Sequence, residues 1–397
     1  MKKIKNATLA ICGSFLLLCV ATMSCHPHHD APTVTVTGAE PNPAITGDTV
    51  TVSGTNFTSP ATVSIDGGEA IPATVSADGK TLTFVAPAAV SGVLSVTTNG
   101  QTKPLPGNFV VGVAGPTSDS VATTALVAKW TFDSNGSENI SGNSPYSTIG
   151  TVDYSSAGKI GHCATFTNGA LLFDPITQIN NDTSLESYSI SLWANFSAST
   201  GAEQLRSLFQ MTGTKYANIW GQLDLELTNS GIVGDSLTIG ARQHQQDGHI
   251  PPGPTPYDHE GFTATNQGGV TGKWVFLTET YNGNGTNQTM QLYLNGSRID
   301  SAEFANVTKP ETFNLVPPGN YPTDGLAPAT KVYIGSMAFF DRGNSVGDGY
   351  TNYAPNMVDR PWAGGDITGK LDDIRVFKRA LTVAEVDSLY ARGSRGL

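Results

Sequence analysis

The side chains best suited to chemistry in this 397-residue chain are aromatic and polar rather than nucleophilic. Trp220 stands just before an alternating strand. Tyr257, Tyr350, Tyr353 and Trp362 fall in two long polar stretches. The first stretch, residues 242–272, carries His244, Gln245, Asp247, His249, Tyr257, Asp258 and His259 around a Pro-rich turn. The second, residues 339–365, carries Asp341, Arg342, Asn344, Tyr350, Asn352, Tyr353, Arg360 and Trp362. Sugars present a flat apolar face ringed by hydroxyls, so aromatic platforms beside Asn, Asp and Gln are the chemistry that holds them. Loops of this length in a compact domain are either functional or disordered.

Other reactive residues fit chemistry less well. Asp224 and Glu226 share one face of the strand Gln222-Leu223-Asp224-Leu225-Glu226, because side chains alternate with period two. Gln222 takes the third position on that face, and an amide cannot act as a nucleophile, so the expectation is a polar sheet face. His244, His249 and His259 match no standard metal-ligand spacing and read as surface histidines. Cys163 follows His162 directly, and strand neighbours point to opposite faces, so they do not form a nucleophile and base pair.

The elements that must position these residues are strands. Charged residues make up only 14 % of the chain, against about 25 % in ordinary domains, and 44 Gly with 23 Pro imply frequent turns. That composition excludes coiled coils and helical repeats, while 39 % hydrophobic residues exclude wholesale disorder. The net charge of −11 comes without clustered Lys or Arg, so no nucleic-acid partner is expected.

At the N-terminus, Lys2, Lys3 and Lys5 precede the apolar run Leu9 to Val20, the pattern of a secretory signal too short to span a membrane. Ser24-Cys25 resembles the end of a bacterial lipoprotein lipobox, which implies residues 1–24 as signal peptide, acylation of Cys25 and a tether over 25–31. Cys12 and Cys19 would leave with the signal, so Cys163 remains without a disulfide partner. Acyl chains on one cysteine would anchor the chain firmly, since each buried CH2 contributes about 0.8 kcal/mol. The lipid anchor is then the expected membrane contact. His26, His28 and His29 on the tether carry no site.

Residues 32–111 are a run of short β-branched segments separated by Asp66-Gly67-Gly68, Asp78-Gly79 and Asn99-Gly100, which signal hairpins and a small immunoglobulin-like sandwich. Through Pro41-Asn42-Pro43, the run Gly47-Asp48-Thr49-Val50-Thr51-Val52-Ser53-Gly54-Thr55-Asn56-Phe57 and Gly107-Asn108-Phe109, the segment resembles the IPT/TIG family, which implies a spacer role. Residues 112–124, rich in Ser, Thr, Gly, Ala and Pro, read as a linker.

From residue 125 to 397, segments such as Leu126 to Phe132, Tyr188 to Phe196, Trp274 to Tyr281 and Met290 to Leu294 alternate apolar and polar residues, as strands of a large two-sheet sandwich do. Trp130-Thr131-Phe132-Asp133, Gly158-Lys159-Ile160-Gly161, Ile190-Ser191-Leu192-Trp193, Leu292-Tyr293-Leu294-Asn295-Gly296 and Leu371-Asp372-Asp373-Ile374-Arg375-Val376-Phe377 follow in that order. These blocks resemble the laminin-G-like jelly rolls of the concanavalin A-like lectin/glucanase superfamily. Trp130, Trp193 and Trp274 then belong to the core. After the last strand, Thr382 and Glu385 form a capping box for a short helix for which Gly393 supplies the stop, and Val383, Val386 and Tyr390 share the face that packs on the sandwich.

The resemblance implies further chemistry. Relatives often tie the first strand to the last with Ca2+, and Asp133, Asn143 and Asp372 match the positions that would supply its oxygens. The alternative is that Asp133 caps a turn and Asp372 faces water. Retaining glucanases of the superfamily read Glu-x-Asp-x-Glu where this chain has Gln222-Leu223-Asp224-Leu225-Glu226, so the double displacement lacks its nucleophile. The reading is an all-β, non-catalytic lipoprotein, exported and anchored to the bacterial outer membrane or cell surface. Its jelly roll is expected to bind a glycan or polysaccharide, in the company of other glycan-uptake proteins. A protein-binding adhesion or scaffolding module, for instance on host matrix, and a glycoside hydrolase are the alternatives.

Overall fold

In a computed structural model of the chain, residues 32–115, 117–180, 187–197, 206–212, 223–233, 235–244, 259–283, 289–303, 331–336 and 366–397 are described. The expected signal peptide, Cys25 and the tether lie outside them. Among the described residues no helix is long and apolar enough to cross a membrane.

The first sandwich opens with β1 (Thr35–Glu40), β2 (Ala44–Ile45), β3 (Thr49–Thr55), β4 (Ala61–Ile65) and β5 (Ile71–Val75). It closes with β6 (Thr81–Val85), β7 (Val90–Gly92), β8 (Leu94–Thr98), β9 (Gln101–Pro104) and β10 (Phe109–Gly112). One sheet runs β1-β3-β6-β5-β4-β8-β9 and the other β2-β10-β7. Alternation decides what each strand buries: Val50 and Val52, Val63 and Ile65, Leu82 and Phe84, Leu94 and Val96 all point into one core. Each such side chain contributes about 1.5–3 kcal/mol when removed from water. Asn99 and Gly100 both take positive φ between paired Thr98 and Gln101, the two-residue turn whose twist matches its strands.

The second sandwich begins with β11 (Leu126–Trp130), β12 (Ser147–Asp153), β13 (Ala164–Phe173) and the short helix α1 (Thr177–Asn180). Next come β14 (Ser187–Asn195), β15 (Arg206–Thr212), β16 (Leu223–Val233), β17 (Ser236–His244) and β18 (His259–Gly268). The remaining strands are β19 (Val275–Asn282), β20 (Thr289–Leu294), β21 (Ser297–Glu303), β22 (Lys331–Ile334) and β23 (Ile367–Phe377), followed by helix α2 (Val383–Gly393). Hydrogen bonding runs β18-β17-β16-β15-β22-β13-β23-β14-β19-β20-β21, with β11 on β23 and β12 on β13, and the curved sheet closes on one core as a jelly roll. Trp130 sits in that core against Phe173 and Phe209, at ring separations of 5.4 and 5.8 Å. Strand β14 is buried on both faces. Tyr188, Ile190, Leu192 and Ala194 face the main core, and Trp193 faces a second cluster with Phe276, Val386 and Leu389. Trp274 is only partly buried against that second cluster.

Helix α2 starts as expected. The Thr382 hydroxyl accepts the Glu385 N–H at 3.3 Å and the Glu385 carboxylate accepts the Thr382 N–H at 2.9 Å. Two expectations about the helix change. Val383 is exposed, and the buried face is Val386, Leu389 and Ala391 with Tyr390 packed beside them. Gly393 is the last helical residue rather than a stop beyond it, and a Cβ there would lie 2.6 Å from Trp193 Nε1.

Residues 34–397 form one compact unit. The segment read as a linker is tied to α2: Val113 N–H donates to Ser388 Oγ at 2.8 Å, and Arg392 donates to the carbonyl of Thr117 at 2.9 Å and to Ser120 Oγ at 2.7 Å. Asn108 Nδ2 donates to Ser297 Oγ at 2.6 Å, and Arg395 pairs with Asp48. A Cβ on Gly112 would come within 2.9 Å of Ala391 Cβ and Ser388 Cα, so the glycine lets β10 lie directly on the helix.

Candidate functional site

Five aromatic candidates, Trp220, Tyr257, Tyr350, Tyr353 and Trp362, lie outside the described residues, as does Gln222. The strands flanking their segments are described, and their register sorts the candidates into two groups. Thr212 pairs with Lys331, Met211 with Leu223, Leu223 with Gln243, and His244 with His259. The chain therefore leaves the sheet toward Trp220 and toward Tyr257, and returns to it at Lys331, along one edge. Residues 337–365 leave from the opposite end of β22. The Gly335 N–H donates to the Leu208 carbonyl at 3.1 Å, the Ile367 N–H donates to the Gly335 carbonyl at 2.8 Å, and Ser336 Oγ donates to the Asp366 carboxylate at 2.7 Å. Gly335 has φ +84°, and a Cβ there would meet the Gly169 carbonyl at 3.0 Å, so this stem requires glycine. Tyr350, Tyr353 and Trp362 fall in the sequence between Ser336 and Asp366, outside the described residues.

Asp224 and Glu226 belong to a polar sheet face, and that face is fully buried. Ser207 Oγ and Gln210 Nε2 donate to Asp224 at 2.5 and 3.0 Å. Buried Glu279 on β19 accepts the Tyr188 hydroxyl. Burial, together with Glu226 and Glu279 as neighbouring acids, holds the Asp224 carboxyl well above the usual carboxylate range. Burial does the same to Glu279, with Glu226 adding to it. Leu223, Leu225 and Leu227 point to the other face, into the main core, while Ser207 and Gln210 meet Asp224: period two predicts a shared face but not what covers it.

Asp133 and Asp372 grip one turn. Asp133 Oδ1 accepts the His162 N–H at 3.0 Å, and Asp372 Oδ2 accepts the N–H groups of Lys159 and Ile160 at 2.7 and 2.9 Å. Cβ atoms on Gly158 and Gly161 would fall 2.5 Å from Asp372 Oδ2 and 2.0 Å from Asp133 Oδ1, which is why the Gly158-Lys159-Ile160-Gly161 block carries glycine at both ends. Asp133 thus caps a turn, whereas Asp372 is buried and does not face water. Burial pushes the Asp372 carboxyl up to about 7, opposed by its backbone donors.

Asn143 serves a different loop, where its carbonyl accepts the Glu138 N–H at 2.8 Å. The Glu138 carboxylate accepts from Lys129 N–H at 2.7 Å, Ile140 N–H at 2.8 Å and Ser141 N–H at 2.5 Å. With Trp130 and Phe173 it lines a shallow recess whose free space, about 30 Å³, suits one water. Among the described residues no three Asp, Glu, His or Cys stand close enough to hold a metal ion. Asp133 and Asp372 meet the turn of residues 158–162, and the Asn143 carbonyl meets the loop of Glu138. Cys163 is buried with a free thiol, while its neighbour His162 is exposed.

Comparison with known proteins bears on the first sandwich most directly. Residues 33–111 are an IPT/TIG domain. Its proline-bearing entry, Asn56 at φ 60° and the Gly107-Asn108-Phe109 closure into β10 all lie inside the matched segment. No match to the chain was found among curated proteins. Among solved structures, domain 4 of AbnA, a GH43 extracellular arabinanase from Geobacillus stearothermophilus, in complex with arabinotriose, is 17 % identical, covering 67 % of this chain and 98 % of that one at TM-score 0.39. The binding domain of botulinum neurotoxin DC in complex with rat synaptotagmin II is 12 % identical, covering 68 % and 52 % at TM-score 0.40. The same toxin domain in complex with SialylT is 12 % identical, covering 68 % and 52 % at TM-score 0.41. Likeness of this size carries no information about a ligand for the jelly roll beyond the IPT/TIG domain.

Proposed function

We propose that this chain is a surface lipoprotein whose jelly roll binds a polysaccharide without cleaving it, with the IPT/TIG domain standing between the acylated Cys25 and the binding end. The observation that carries the reading is the stem of residues 337–365. Gly335, Ser336, Asp366 and Ile367 close it by hydrogen bonds on a buried sheet, and the segment it bears combines Tyr350, Tyr353 and Trp362 with Asp341, Asn344 and Asn352. Aromatic rings with amide and carboxylate side chains in one segment are what a sugar-binding loop needs, and a hydrogen-bonded stem at its two ends limits the ordering left for a ligand to impose.

The absence of cleavage in this reading is supported by Gln222 in the acid strand and by the deep burial of Asp224 and Glu226, which removes both carboxyls from any dissolved substrate. Export and lipid anchorage rest on the basic and apolar N-terminus with Ser24-Cys25. Probing the whole mature chain on a glycan array tests the reading: retention of at least one polysaccharide without release of reducing sugar is expected. Binding confined to proteins, or steady release of reducing sugar that Glu226→Gln abolishes, would sink it.

A further inference from the structure

We propose that Asp387 is a proton-operated latch: protonated, it holds the IPT/TIG domain against the jelly roll, and ionised, it loosens that joint. Asp387 lies on α2, the helix that shares Val386, Leu389 and Tyr390 with the second cluster of the jelly roll and lies along β10 and β7 of the IPT/TIG domain. Its side chain is fully buried. One oxygen accepts the hydroxyl of Ser91, which belongs to β7 and so comes from across the joint. The other oxygen, Oδ1, has no hydrogen-bond partner among the described residues, and a Cβ on Gly296, in the Asn295-Gly296 turn of the jelly roll, would lie 3.4 Å from it.

The surroundings leave the charge uncompensated. On α2 itself, Glu385 is paired with Arg379, and Arg392 is committed to the carbonyls of Val113 and Thr117 and to Ser120 Oγ. Tyr390 packs against Trp193 and Phe276. From β20 and β21, Tyr293 faces the site, feeling both Asp387 and Arg298, and its hydroxyl donates to Gln291 at 2.6 Å. From the IPT/TIG side, β10 and β2 present no ionisable side chain, β7 presents Ser91, and Asp66 packs beside Gly92. Arg395 further along is paired with Asp48. Among the described residues no cation is paired with Asp387, so a carboxylate there has a single hydroxyl donor inside an apolar joint.

Burial pushes the Asp387 carboxyl up to about 7, against the opposing effect of the Ser91 hydroxyl. In an opened joint the same carboxyl returns to the ordinary value near about 4. Below about 4 the proton is bound in both states and docking is strongest. Between about 4 and about 7 only the docked state keeps it, so the docked fraction falls relative to the open one by about tenfold per pH unit. Above about 7 both states are ionised and the loss is complete.

The Val113 amide, whose hydrogen bond to Ser388 crosses the joint, reports opening by hydrogen exchange in the full mature chain. Relative to an unstructured amide at the same pH, its protection should fall from pH 5 to pH 7 and then level off. Asp387→Asn should hold that protection nearly constant, and Ser91→Ala, which removes the donor to the carboxylate, should carry the fall to higher pH. Constant Val113 protection in the unaltered chain, or the same fall in Asp387→Asn, overturns the proposal. If Asp387→Asn does not fold, an unmoved transition in Ser91→Ala overturns it alone. None of these outcomes depends on glycan binding.

Discussion

Asp372 accepts two backbone N–H groups with one buried oxygen, so its removal is felt through the donors it leaves behind. Stranding two such groups costs about 1–3 kcal/mol each, less where water enters, so Asp372→Ala should lower unfolding free energy by about 2–4 kcal/mol in a urea titration. An effect below about 0.5 kcal/mol would show that the turn does not depend on the carboxylate. The resemblance singled out Asp133 and Asp372, yet it could not say that the turn between Gly158 and His162 would bring amides to them. Spacing along the chain reveals which residues are acidic; which donors meet them depends on a turn from a third segment.

Helix α2 shows the same limit for a whole element. Its capping box was legible because the rule is local: Thr382 and Glu385 are three apart and satisfy each other's backbone. Its buried face and its end were not, because these depend on Trp193 from β14 and on β10 from the other domain. Gly393→Ala sets two effects against each other. Alanine favours helix by about 1 kcal/mol, but its Cβ would press on the rigid Trp193 indole, an overpacking that costs about 1–3 kcal/mol. The contact should win, giving a net loss of about 1–2 kcal/mol in thermal or urea unfolding.

Strand β16 offers a second test at this scale. Asp224 and Glu279 keep carboxyl pKa values raised above those of the unfolded chain, so their contribution to stability is complete at acid pH and is lost as pH rises past about 4. Urea midpoints should fall as pH increases, and Glu279→Gln should flatten that fall. Midpoints that rise with pH would contradict the protonated cluster.

Across the whole molecule, the sequence showed two β sandwiches because period-two alternation and Asx-Gly turns are written residue by residue. It did not show that the segment between them is held by Arg392 and Ser388, since those partners lie far along the chain. Nor did it separate the aromatic candidates. Only strand register puts the described strand ends that flank the Trp220 and Tyr257 segments at one edge, and the Ser336 and Asp366 pair that brackets Tyr350, Tyr353 and Trp362 at the opposite end of β22. That division makes the central claim directly measurable. Titration calorimetry of the full mature chain against its array-selected polysaccharide should show affinity reduced at least about tenfold by Trp362→Ala, the loss of one stacked ring, and little changed by Tyr257→Ala. Undiminished affinity in Trp362→Ala, with binding abolished by Tyr257→Ala, would contradict the assignment of the binding surface to the stem.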